Sequence, residues 1–293
     1  MKLSEVKGGH RVERDGEFLS IAEMPRWRSG ALVPITDAAQ IERLAAVNFT
    51  GCVIVTKTLV PKVPKGVGVI VSDRSFEELC EIHNDIVKEG SFYKPLVENV
   101  IDCSAEIHQT AVISGKGVRI GKRCISGPKA MILEGSTLED DAVIGPGAVI
   151  GNEDPLSFRK GSALEKALSS GGVIIRKDVE IHANCNVSRA VFGGSTEIGA
   201  GAKFDNLISI GQNAKVGERS FLAACASIGS NVDMGEEVWI GPNSTVSSGV
   251  TLGDKAYVTI GAVVVGDVGQ GKKVTGNPAI DHDIFIERLK KMR

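Results

Sequence analysis

The stretch IGAGAKFDNLISIGQNAKVGERSFLAACASIGSNVDMGEEVWIGPNSTVSSGVTLGDKAYVTIGAVVVGDV, residues 198–268, decides the fold. Steps of six from Ile198 land on Ile198, Phe204, Ile210, Val216, Leu222, Ile228, Met234, Ile240, Val246, Leu252, Val258 and Val264. In a chain that is 42% hydrophobic, twelve such landings in a fixed register arise by chance about once in 30,000 trials. Four places after each stands a small or β-branched residue, from Ala202 and Ile208 to Ala262 and Val268. The place directly after is often glycine, as at Gly199, Gly211, Gly217, Gly229, Gly235, Gly241 and Gly253.

A helix repeats every 3.6 residues and a strand every 2, so a period of six belongs to neither. It predicts a solenoid in which each hexad makes one flat side and sends its large aliphatic residue into a narrow axis. Small residues suit the crowded corners, and glycine admits backbone conformations that a side chain would strain. Three sides close a coil of roughly 18 residues, so the expected architecture is mainly β, a left-handed parallel β-helix of hexapeptide repeats.

Upstream the phase continues through Ile120, Ile132, Leu138, Ile144 and Ile150, with Ser126 as its one miss. An earlier set, Ile101, Ile107 and Ile113, is one residue out of step, which places a bulge near Gly115–Gly117. A third set, Ile181 and Val187, slips by one at Gly193–Gly194. The helix is therefore expected over 99–270. Residues 152–172, NEDPLSFRKGSALEKALSSGG, carry no hexad phase and must leave the coil. Such an extruded loop reads as a flap shaping a cleft, with Phe158 as a candidate substrate contact.

Composition agrees. Glycine is 35 of 293 residues while Phe, Tyr and Trp together number 13, which suits a thin aliphatic core with many corners. The net charge of −2, with no basic block, argues against a duplex nucleic-acid binder, which needs a positive stripe. No apolar run approaches the ~20 residues of a membrane span, and MKLSEVKGGHRVERDGE is too polar for a signal peptide. The six scattered cysteines read as small buried hydrophobes in a reducing, cytoplasmic setting.

Residues 1–98 lack the period and read as a small α/β domain, a candidate for nucleotide binding. GCVIVTK (51–57) and GVGVIVS (66–72) are its strands. Helices are expected over 36–47, capped by Thr36 or Asp37, and after a cap at Asp73 or Ser75, with Phe76, Leu79, Cys80 and His83 on one face. Residues 271–293 read as a helical cap on the solenoid, burying Ile284, Phe285 and Leu289. Its Lys290, Lys291 and Arg293 complement the helix dipole, or face an acidic partner such as an acyl carrier protein.

The segment GGVIIRKDVEIHANCNVSRAVFGGSTEIGAGAKFDNLISIGQN (171–213) resembles the central stretch of the UDP-3-O-(3-hydroxyacyl)glucosamine N-acyltransferases of lipid A synthesis. Domain, loop, coils and terminal helix follow in the same order. The most specific part is the frame at Asp205, Asn206, Ile210 and Asn213. In that family the pattern I-A-H-N supplies a histidine that takes a proton from the sugar amine as it attacks an acyl thioester. Here the place is Gln212, in IGQN, and an amide has no proton affinity near neutral pH.

The resemblance implies N-acyl transfer from acyl-CoA or acyl-ACP to a nucleotide-linked amino sugar, with no tightly bound cofactor. It also implies a homotrimer with each site between neighbours. Asp205 would orient a neighbour, Asn206 and Asn213 would contact substrate, and Gly276, Asn277 and Pro278 of VTGNPA would meet the donor. His182, outward on its coil, is the candidate replacement base, with Gln212 left to donate hydrogen bonds. A homologue that binds a sugar nucleotide or lipid precursor without acyl transfer is the alternative. A zinc site is not expected, because His108 and His182 lie about 74 positions apart and three convergent histidines are needed.

Overall fold

The computed structural model describes residues 1–23, 27–276 and 282–291. From residue 100 the chain winds into a left-handed parallel β-helix with three faces. Face I runs through eight strands from Val100–Ile101 to Thr251–Leu252. Face II runs through nine strands from Glu106–Ile107 to Lys273–Val274, and face III through eight from Val112–Ile113 to Val263–Val264. Column residues pair in register, Ile198 with Val216, Phe204 with Leu222 and Ile210 with Ile228. None of the twelve is more than 6% exposed, and the small positions from Ala202 to Val268 are buried with them.

The corners correct one expectation. The residue directly after the column residue does not carry the unusual backbone. The left-handed conformation falls three places after it, and ordinary residues such as Leu207 (φ 61°), Arg219 (φ 54°) and Lys255 (φ 58°) adopt it. Glycine follows the column residue for want of space: a Cβ on Gly217 would lie 2.0 Å from the Gly235 carbonyl oxygen of the next coil.

The interruptions are also sharper than the phase suggests. Ile113 and Ile120 are seven apart, yet Ile101 pairs with Ile120 and Ile113 with Ile132, so the extra residue sits in a corner and no strand bulges. Ser126 keeps the inward place opposite Ile107 and Ile144. Ile175 pairs with Ile198, where a regular coil pairs Ile198 with Val216, so five extra residues leave the coil around 189–194. The shift at Gly193–Gly194 is thus a short excursion, larger than a one-residue slip. Leu138 pairs with Ile175, which accommodates the longer excursion at 152–172.

The strands of the N-terminal region form one five-stranded sheet. Strands β1 (Val12–Arg14), β2 (Ser20–Ile21), β3 (Ala31–Pro34), β4 (Gly51–Val55) and β5 (Gly68–Val71) lie in the order β1-β5-β4-β3-β2. The pairs among β2 to β5 are parallel and β1 is antiparallel to β5. Helix α1 (Ala38–Ala46) is capped by Asp37, whose carboxylate accepts the Gln40 N–H at 2.9 Å. Helix α2 (Ser75–Glu89) uses neither Asp73 nor Ser75 as its cap. The Ser72 hydroxyl accepts the Arg74 N–H instead and donates to Glu78. Leu79, Cys80 and His83 are buried on one face of α2.

Two expectations about exposure fail. Helix α3 (His282–Lys291) leaves Ile284 49% and Leu289 37% exposed, so the protomer does not bury its apolar stripe; the Phe285 side chain and Arg293 lie outside the described residues. Cys103 and Cys225 are exposed, whereas Cys52, Cys80, Cys124 and Cys185 are buried, and all six are free thiols.

Candidate functional site

Both excursions leave the helix at the edge between faces III and I, on consecutive coils, and the corner holding Gln212 and Asn213 is the next one along. The long excursion is a β-hairpin, Ser157–Lys160 against Ala163–Lys166. It packs on α2. Asn84 donates to the Lys166 carbonyl at 2.9 Å and accepts the Leu168 N–H at 2.8 Å, while Lys160 pairs with Glu81 at 3.4 Å. Phe158 is 3% exposed and shares a core with Leu79, Ile82, Ala167 and Phe192. It is therefore a structural anchor, turned into the domain junction because an aromatic ring gains most by burial. It does not face a substrate cleft as expected.

His83 fixes this junction. Its Nε2 is 2.7 Å from the Leu168 carbonyl oxygen, which only accepts, so Nε2 carries the proton and Nδ1 accepts the Tyr93 hydroxyl at 2.8 Å. Burial holds its pKa down to about 4, and the ring is neutral at physiological pH. The buried Arg189 guanidinium ties the short excursion to the long one, donating to Glu134 at 2.8 Å and to the Ser169 carbonyl at 2.6 Å.

At the next coil Gln212 is 1% exposed. Its N–H donates to Asp154 at 3.2 Å, its side-chain oxygen accepts the Val191 N–H at 3.3 Å, and its Nε2 donates to Glu23 Oε1 at 2.6 Å. Asn213 donates its backbone N–H to Thr196 Oγ1 and its Nδ2 to Asn231 Oδ1, both at 2.7 Å. Asn231 in turn donates to Glu23 Oε1 at 2.8 Å. Between this edge and the N-terminal domain lies a cavity of about 140 Å³, walled by Glu23, Arg28, Glu197, Gln212, Asn213 and Lys215 among others. Sequence reasoning found Gln212 and Asn213 and missed Glu23. The hexad register marks coil corners, while nothing local marks a residue beyond β2 as their partner.

The remaining candidates lie elsewhere. His182, Asp205 and Asn206 occupy the edge between faces II and III, a different edge of the prism from Gln212. The His182 side chain is 56% exposed, with Nε2 3.7 Å from Glu180. Asp205 Oδ1 accepts both the N–H and the Nδ2 of Asn206, whose Oδ1 accepts the Ala183 N–H, so the pair links adjacent coils. Within one protomer these three do not meet the cavity. Gly276 lies against Ala262 at the end of the last coil, and Asn277 and Pro278 lie outside the described residues.

Residues 115–152 and 226–265 match the hexapeptide repeat of succinyl-transferase. A UDP-3-O-acylglucosamine N-acyltransferase of Anaeromyxobacter dehalogenans strain 2CP-1 is 37% identical over 114 residues, covering 37% of this chain and about a third (32%) of that relative. The enzyme of the same name from Helicobacter pylori strain ATCC 700392 is 31% identical over 255 residues, covering 76% of this chain and 73% of the relative. A crystal structure of UDP-N-acetylglucosamine O-acyltransferase from Moraxella catarrhalis shares 22% identity over 67% of this chain and 76% of its own, with a TM-score of 0.46. The Helicobacter likeness spans most of both chains, and so this chain belongs to the UDP-3-O-acylglucosamine N-acyltransferase family of hexapeptide-repeat proteins.

Proposed function

We propose that the protein is an N-acyltransferase that moves an acyl group from a thioester, acyl-CoA or acyl-ACP, to the amine of a UDP-linked amino sugar in lipid A synthesis. The observation that carries this is the 31% identity extending over 255 residues to relatives of that name. The cavity supports it. Arg28 and Lys215 give two cations suited to a phosphate-bearing substrate, beside the carboxylates of Glu23 and Glu197, and Gln212 and Asn213 give polar groups suited to a sugar.

We infer that the working form is a cytoplasmic homotrimer. The stacked rings of Phe221, Trp239 and Tyr257, with centroids 4.5 and 5.8 Å apart on face II, offer a flat apolar strip of the kind that packs against a second copy. Among the described residues no helix is long and apolar enough to cross a membrane. The donor would lie near Gly276 at the end of the coils, with the basic Lys290 and Lys291 of α3 available to an acyl carrier protein.

The test is incubation of the protein with UDP-3-O-acylglucosamine and short- and long-chain acyl-CoA and acyl carrier protein thioesters. Free thiol and N-acylated sugar should appear in equal amounts. Binding of the sugar nucleotide with no thiol released by any donor would establish the alternative, a homologue that binds a sugar nucleotide without acyl transfer.

A further inference from the structure

Glu23 is a carboxylate that the N-terminal domain brings to the Gln212 corner, 189 positions away in sequence. It is partly buried, and its Oε1 accepts from both Gln212 and Asn231. Oε2 accepts no hydrogen bond among the described residues. Among the described residues the charged groups facing it are Arg28, Lys215 and Glu197 across the cavity and Asp154 behind Gln212, and Glu197 is already paired with Arg176 at 3.2 Å.

On the reading that the protein is an N-acyltransferase, we propose that Glu23 is its catalytic base, held in the cavity by the amides of Gln212 and Asn231. Gln212 is then a positioning residue. Its amide cannot take a proton, but its N–H fixes the carboxylate that does.

The chemistry closes. The sugar amine attacks the thioester carbonyl, forming the C–N bond and a tetrahedral oxyanion. The Glu23 carboxylate removes the extra proton from nitrogen. The oxyanion collapses, the C–S bond breaks, and the thiolate departing with the bonding pair receives that proton from Glu23 to leave as the thiol. Burial makes Glu23 a better base than a solvated carboxylate: desolvation raises its pKa, the amides of Asn231 and Gln212 oppose the rise, and Asp154 adds to it.

Glu23→Gln separates this role from a structural one. The amide oxygen still accepts from Gln212 and Asn231, but the proton affinity is gone. Steady-state kinetics with UDP-3-O-acylglucosamine and the active thioester should show kcat reduced about 10²–10⁴-fold, the span general-base catalysis contributes, with KM changed little. Glu23→Asp should keep part of the rate, and adding Gln212→His to Glu23→Gln should recover activity with an acid limb in the histidine range. In wild type the acid limb of kcat should lie above that of a solvated carboxylate. A Glu23→Gln enzyme within about threefold of wild type, or a wild-type limb at the ordinary carboxylate position, would overturn the assignment of Glu23 alone. A wild type that releases no thiol with any donor overturns the acyltransferase reading itself.

Discussion

Two edges of the same prism have different fates. Between faces II and III the corners turn by the same four-residue path on every coil, and their side chains, His182, Asp205 and Asn206, face solvent or bond to the coil next door. Between faces III and I the chain leaves the path twice in consecutive coils, and the N-terminal domain covers the result. The polar groups there are buried and bonded over long sequence distances, Gln212 to Glu23 and His83 to Leu168. An unbroken repeat makes a scaffold; its interruptions, gathered on one side, make a recess. A buried polar group must be satisfied, which is why the second edge carries a network and the first only local pairs.

The largest expected effect attacks the unbroken repeat. Gly217→Val places side-chain carbon against the Gly235 carbonyl and should cost more than about 3 kcal/mol in denaturant titration, or prevent folding. Gly249→Asn makes the contrast, since Gly249 has φ +76° and open space around it, and asparagine tolerates that backbone; its cost should stay near 0.5 kcal/mol. Equal costs at the two sites would mean that conformation, rather than the next coil's proximity, governs the corners.

Phe158→Ala should cost about 3 kcal/mol, the usual loss for a buried aromatic. Its signature is local: hydrogen exchange should rise through the hairpin 157–166 while the strands from Lys203 to Val264 stay protected. Uniform loss of protection would show that the two edges do not differ in independence.

Acid should find the covered edge first. His83 has a folded pKa held down to about 4, below the ordinary value near 6.5, so its neutral bridge contributes fully above pH 6.5 and is lost as pH falls towards 4. The melting temperature should drop across that window by the equivalent of roughly 1–3 kcal/mol. His83→Asn, lower throughout, should show a shallower slope. The same slope in both would assign the acid sensitivity elsewhere.

The smallest effect is expected at the open edge. His182→Ala should change stability by no more than about 0.5 kcal/mol, as surface substitutions do, and turnover by less than threefold. A large loss of turnover would bring the two edges together in one site across a subunit boundary, and would displace Glu23.

The scaffold was legible because each coil repeats the same demand, a large residue inward and a small one at the corner, so a single chain states the rule twelve times. Ser126 shows how firmly the register is held by its neighbours, since it keeps the inward place between Ile107 and Ile144 despite its hydroxyl. The recess was only half legible. The hexad frame placed Gln212 and Asn213, but a carboxylate arriving from beyond β2 obeys no period, and the pairing of Glu23 with Asn231 exists only after two domains have docked. Phe158 looked like a flap residue for the same reason: its partners on α2 are remote in sequence.

The corners at which the chain strays carry a wider consequence. The backbone bonds of each strand run to the coils above and below, so a chain may depart at a vertex and rejoin without disturbing the stack, provided it returns in phase. One vertex of the triangle has been used this way, on two successive levels. The other two are docking ports of the same geometry still carrying their factory turns, and a hairpin transplanted there should fold as a passenger while the column beneath it stands unchanged.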